Sequence, residues 1–258
     1  MPAHSTNRPM DLLYVIGPDS GHANRELRWS LRSVAKYARG LGRVVVAGHP
    51  PEWLSEEVVR FPFANEGRSK LRNQARALFA VVGSGALGSG EFAWTDDDVF
   101  LSAPLDLDAL PFFSRGAALP TYERQSQGGE AYRQLLANTR EALVEAGYPA
   151  VEAVGHAIRR MRTQEADEAR RLWEAAPEPG IELQAAFQNI RARRERVDFT
   201  RRKDWKLAAF DADAIASGMF SIGDRAFADG RVEEWLETSF GSPCRFEKTT
   251  EEHGEHGE

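Results

Sequence analysis

The chain has 258 residues, 42% of them hydrophobic and 28% charged, and a net charge of −6. That mixture belongs to a folded globular protein rather than a disordered one, and the length admits one large domain or two small ones. No apolar run reaches the roughly 18–20 residues of a membrane span, the acidic balance gives no overall pull toward nucleic acid, and a single cysteine, Cys244, excludes an internal disulfide and points to a reducing, cytoplasmic setting.

The first nine residues lack the apolar core of a secretory signal and are expected to form a flexible leader. "DLLYVIG" (11–17), stopped by Gly17-Pro18, predicts a buried strand. "NRELRWSLRSVAKYARGLG" carries Leu27, Leu31, Val34 and Ala38 at helical spacing, with Asn24 as its expected cap and Gly40 and Gly42 as its stop. "RVVVAG" (43–48) predicts a second strand, parallel to the first across that helix. "PPEWL" marks a turn, "EEVVRFPF" a third strand, and "SKLRNQARALFAVVGSG" a second helix. "EFAWT" is the fourth strand, and Asp96, Asp97 and Asp98 stand at its carboxyl end, where open α/β sheets bind ligands. Helices are expected within 129–147 and 163–177, a late strand at 216–224 and a last helix at 231–240. The tail 249–258 is acidic, with two histidines, and is expected to be disordered. Neither half shows a complete sheet, which favours one domain over 10–248 with a helical insertion around 123–206.

Three adjacent carboxylates repel one another most where water is scarce. A hard divalent cation, Mg²⁺ or Mn²⁺, would relieve that repulsion. Side chains alternate along an extended segment, so Asp96 and Asp98 would face one ion and Asp97 the other side. The competing reading is a solvated turn that caps the next helix. His156 is a candidate general base or a partly buried structural histidine; Asp224 is a candidate metal or acceptor residue, or a turn acid. Arg25 and Arg28 on the first helix, and Arg68 and Lys70 before the second, suit phosphate oxygens, although most helical arginines are simply solvated. Gly17, Asp19 and Ser20 close the first strand, where a nucleotide sits in such folds. The basic run 191–206, with Phe199 and Trp205 interleaved, is either a solvated surface or a contact for an anionic partner such as DNA.

"ELRWSLRSVAKYA", "PPEWL", "WTDDDVFL" and "FSIGDRAF" followed by "VEEWLETSFGSPCRFEK" resemble, in that order, blocks of the Stealth family. That family comprises sugar-1-phosphate transferases of capsular polysaccharide synthesis. In this match Asp97 and Asp98 stand at the family's Asp-Asp pair, Asp96 replaces an asparagine, Asn73 falls near an asparagine segment, Asp224 matches a late acid, and His156 in "VGHAIRRM" matches a weaker histidine block. The first family block is reduced here to "YVIGPDSG". The resemblance implies a GT-A-like α/β fold, a metal held by Asp96 and Asp98, catalytic roles for Asp98, His156 and Asp224, and a nucleotide-sugar donor held by Gly17, Asp19, Ser20, Arg25, Arg28, Arg68, Asn73 and Asp97. The acceptor would be a hydroxyl of a polysaccharide or of a modified DNA base. A non-catalytic nucleotide-sugar-binding module is the alternative from another class.

Overall fold

The computed structural model describes residues 9–18, 24–66, 70–88, 90–119, 129–153, 155–195, 199–201, 206–227 and 229–248. In chain order these form β1 (Met10–Ile16), α1 (Arg25–Tyr37), β2 (Ala38–Arg39), β3 (Leu41–Gly48), β4 (Val58–Pro62), α2 (Lys70–Gly83), β5 (Glu91–Thr95), β6 (Val99–Leu101), β7 (Leu105–Asp106) and β8 (Phe113–Ala118). There follow α3 (Glu130–Glu145), β9 (Val151–Ala153), β10 (Arg159–Arg162), α4 (Ala166–Ala175), α5 (Leu183–Glu195), β11 (Thr200–Arg201), β12 (Lys206–Leu207), α6 (Ala212–Ala216), β13 (Met219–Ile222), α7 (Asp224–Phe227) and α8 (Gly230–Phe240).

The main sheet has the order β10-β5-β1-β3-β4. β1 runs parallel to both β3 and β5, and β3 parallel to β4, while β10 is antiparallel to β5. The chain is therefore a mixed α/β protein with a mostly parallel central sheet flanked by helices. β1 is apolar without alternation because it is covered on both faces. Leu12, Tyr14 and Ile16 pack with Leu27, Leu31 and Val34 of α1. Leu13 and Val15 point the other way, into a core shared with α2, α4 and α5. A third core lies between Trp29 of α1, Phe100 of β6, Phe220 of β13 and Leu236 of α8. Hydroxyls pin α1 to its neighbours: Ser30 Oγ donates to the Val99 carbonyl at 2.6 Å, and the Leu101 amide donates to Ser33 Oγ at 3.0 Å.

The two crossovers use opposite faces. α1 carries the chain from β1 to β3 on one face, and α2 returns it from β4 to β5 on the other. β1 and β5 are thus neighbours whose connections diverge, which opens a crevice beyond their carboxyl ends. Gly48 shapes its floor: its φ is +98°, and a Cβ there would stand 2.1 Å from the Ile16 carbonyl oxygen, so only glycine lets β3 end so close to β1.

Three expectations are revised. Asn24 sits in the left-handed region with φ 60° and makes no side-chain cap bond. α1 ends at Tyr37, before the glycines, because residues 38–39 pair as a short strand with β7. The 123–206 stretch is not an appended helical insertion, since β10 completes the main sheet beside β5 and α5 covers one of its faces.

At the far end of β5, away from the crevice, Glu91 gathers Arg160, Arg162 and Arg191. Nearby, Glu165 is 1% exposed and accepts a hydrogen bond from the Arg162 amide at 3.0 Å. Burial lifts its pKa to about 7, only partly offset by the charge of Arg191. The native fold then binds this proton more tightly than the unfolded chain, so stability is lost as pH rises from the ordinary glutamate value toward about 7. Glu165→Gln, which keeps the acceptor and removes the titration, is expected to stabilise the protein at pH 8 by about 1–3 kcal/mol and to leave it unchanged at pH 4. Urea unfolding at the two pH values checks this; an equal effect at both would contradict it.

Candidate functional site

β5 ends at Thr95, and the chain turns through Asp96–Asp98 into β6. The Asp98 carbonyl accepts from the Ile222 amide at 3.1 Å, which ties the turn to the end of β13. Two further segments meet it. The β9–β10 turn brings His156 Nδ1 to 3.7 Å from Asp98 Oδ2, and the start of β12 brings Lys206 Nζ to 3.4 Å from the same oxygen. Behind them the buried Arg159 of β10 lies 3.6 Å from Asp96 Oδ2.

The acids do not share one electrostatic fate. Burial raises the Asp96 pKa despite the charge of Arg159. Burial, with the charges of Asp98 and Asp96, lifts Asp97 to about 6. At Asp98 burial acts in the same upward sense, but His156 and Lys206 outweigh it and hold the carboxyl below its usual value. The triplet is short of positive charge, with one member kept firmly ionised.

Asp96, Asp98 and His156 each offer an atom, all within 4.8 Å of one another, and this half-buried group could hold a metal ion. The fit is supported by two atoms without hydrogen-bond partners, Asp98 Oδ1 and His156 Nδ1, both shielded from solvent. Two carboxylate oxygens and one imidazole nitrogen suit Mn²⁺ better than Mg²⁺, which favours oxygen and water. The pairing of Asp96 with Asp98, expected from alternation, is what the structure brings together. His156, expected as a base, stands as the third member of that group.

Two adjoining cavities open here. The smaller, about 280 Å³, lies at the crevice beyond β1 and β3 and is lined by Gly17, Gly48, Asn73 and Asp97 among others. The larger, about 470 Å³, is lined by all three aspartates, His156, Lys206, Glu152, Glu182 and residues of α3. Lys70, Gln74 and Asp97 line both. Of the residues expected to hold a donor, Gly17, Asn73 and Asp97 line the smaller cavity.

Arg25 and Arg28 line neither of these two cavities. Arg25 pairs with Glu233 at 2.5 Å, and Arg28 lies over the Trp53 ring and 3.9 Å from Glu247. Their side chains are spent on holding α1 to α8 and to the C-terminal segment. Asp224 opens α7 directly after β13, with its side chain outside the described residues. Asp19, Ser20 and Arg68 also lie outside them.

Part of the basic run makes internal pairs, while Arg201 is exposed. Arg191 is 2% exposed and bound to Glu91 and Glu195, Arg193 donates to the Ala146 carbonyl at 3.2 Å, and Arg194 pairs with Glu168 at 2.5 Å. Phe199 stands edge-on to Phe112, and Trp205 lies outside the described residues. Sequence reasoning overlooked Lys206, Arg159, Glu152 and Glu182. The only available signal was a charge inside or beside a short apolar run, as in "HAIRRM" and "PGIEL".

No helix among the described residues is long and apolar enough to cross a membrane. Against known proteins the chain matches no family model and no curated relative, so the nature of its ligand is read from the aspartate–histidine group and the two cavities it joins.

Proposed function

We propose that the protein is a divalent-cation-dependent transferase that takes a nucleotide-sugar and passes a glycosyl or sugar-1-phosphate group to an acceptor hydroxyl, as the resemblance to Stealth enzymes implies. The observation that carries this reading is the continuity of the crevice at the β1/β5 switch point with the cavity holding Asp96, Asp98 and His156. A nucleotide in the smaller cavity directs its diphosphate toward the junction, where Lys70 begins α2 and adds positive charge. A cation held by Asp96, Asp98 and His156 would supply charge neutralisation and Lewis acidity at that diphosphate.

The acceptor then occupies the larger cavity. Its hydroxyl oxygen forms the new bond, and its proton passes to a carboxylate of that cavity. In glycosyl transfer the new bond is to the anomeric carbon, and the nucleoside diphosphate leaves. In phosphosugar transfer it is to the sugar-bearing phosphorus, the pyrophosphate bond breaks, and the nucleoside monophosphate leaves. Of the basic run, Arg191 is buried against Glu91 and so withdrawn from any DNA partner.

A ligand that binds only the native state at a hundred times its Kd stabilises it by about 2.7 kcal/mol. Mn²⁺ together with a UDP-hexose is expected to raise the melting temperature by roughly 5–10 °C, and neither alone by as much. Chromatography of the spent reaction then separates UDP from UMP and so names the bond broken. A panel of nucleotide-sugars that leaves the melting curve unmoved with Mn²⁺ would overturn the reading, and binding without any nucleotide release would identify a non-catalytic module.

A further inference from the structure

The larger cavity is polar in one part and apolar in another. The aspartate–histidine group and Lys206 supply the polar part. Glu182 also lines the cavity but is occupied within the fold, accepting from the Gln184 amide at 3.2 Å and the Ala185 amide at 2.6 Å. The apolar part belongs mainly to α3. Tyr132, Leu135 and Leu136 line the cavity at a spacing of three and four positions, so they share one face of that helix. Leu119, after β8, packs with Leu136 and lines the cavity with it. Leu71, in the first turn of α2, joins them.

Leu71 and Tyr132 are 44% and 37% exposed, two of the three exposed large hydrophobic side chains among the described residues. Leu71 stands outside the apolar cores, whereas Ala75 and Leu78, four and seven positions further along the same helical face, are buried in one. Scattered singly, exposed apolar side chains carry no meaning, but two at one cavity, continuous with buried leucines, make a contact surface for a ligand. At about 470 Å³ the space has the size that encloses a small molecule. A bilayer or a second chain needs a broad apolar face, which two side chains at a concave site do not supply. We infer that the acceptor is an amphipathic small molecule: a hydroxyl on a polar ring, presented to the aspartate–histidine group, joined to a compact apolar or aromatic group that lies against Tyr132 and Leu71, as in an aryl glycoside. This rests on the transferase reading above and narrows its acceptor.

Phenyl β-glucoside and methyl β-glucoside share one sugar and differ only in the apolar group. Each is titrated calorimetrically into the full chain with Mn²⁺ present and no donor. The phenyl compound is expected to bind about tenfold tighter. Leu71→Gln and Tyr132→Gln together are expected to cut that advantage about threefold or more and to leave the affinity for methyl glucoside within about twofold. Both positions are exposed, so the fold persists, and the melting temperature of the double variant checks that it does. Equal affinities, no binding of either glucoside, an undiminished phenyl advantage in the double variant, or sedimentation of the protein with phosphatidylcholine vesicles overturns the inference. Nucleotide-sugars are titrated separately. Their binding beside a failed phenyl preference sinks the acceptor class alone, and no binding by any of them sinks the transferase reading.

Discussion

Replacing Asp98 by asparagine is expected to lower kcat/KM for transfer by about 10²–10³-fold and to remove measurable Mn²⁺ binding. Asp98 is the one member of the triplet that His156 and Lys206 keep ionised, while burial raises both neighbours. It also contributes an oxygen to the one group among the described residues that could hold a metal ion. Asparagine preserves the volume of the side chain, and the turn itself is fixed through the Asp98 carbonyl and the Ile222 amide. The fold should therefore persist while the ligand set is broken. Calorimetric titration with Mn²⁺, beside a turnover assay, reads both effects. A variant that retains full cation affinity and full turnover would remove this carboxylate from the site.

The largest effect on stability is expected from Glu91→Gln, a loss of about 2–4 kcal/mol. Glu91 accepts from Arg160 Nε and Nη2, each at 2.7 Å, and pairs with Arg191. Neutralising the acid leaves Glu195 as the remaining carboxylate paired with the buried Arg191 guanidinium, and breaking one side of a buried pair costs more than the pair contributes when intact. Burial works to raise the Glu91 pKa, yet the Arg160 bond and the Arg191 charge hold it below the usual carboxylate range. For an acid whose folded pKa is depressed, the stabilisation is present above its unfolded value and vanishes as pH falls through the folded one. The wild type and Glu91→Gln should accordingly converge in stability under acid conditions. Set against a typical 5–15 kcal/mol for a whole domain, the loss would dominate urea unfolding at neutral pH; a change under 1 kcal/mol would show that the arginines find other partners.

Apolar runs and their stops carried much of the fold into view. "EFAWT" is β5 residue for residue, and α2, α3 and α8 fall where periodicity places them. The parallel β1–β3 pair follows from its crossover helix. α5 was illegible because its sequence, LQAAFQNIRARRE, is buried nearly all round, so no polar face sets a period. Arg191 lies within it, and its burial depends on Glu91, a partner 100 positions earlier. β10 was hidden for a similar reason. "RRMR" looks like solvent-facing sequence, yet Arg159 reaches Asp96 and Arg160 reaches Glu91. Local pattern exposed the acidic triplet through its place after β5, but Lys206, Glu152 and Glu182 join it only by tertiary folding. The arginines of α1 illustrate the converse: their spacing fits a phosphate grip, while distant acids claim them.

The antiparallel strand that closes the sheet has a consequence for how the molecule is made. Glu91 and Arg160 are 69 positions apart, so during synthesis β5 emerges with one flank bare and must wait for its partner. Over that interval the backbone amides and carbonyls beside Phe92 and Trp94 form an unzipped seam, open to any neighbouring strand. Slow translation between these two stretches, or a nascent chain halted between them, should favour aggregation on the ribosome. The same chain released past Arg162 can cover this seam with β10, which then forms the edge of the sheet.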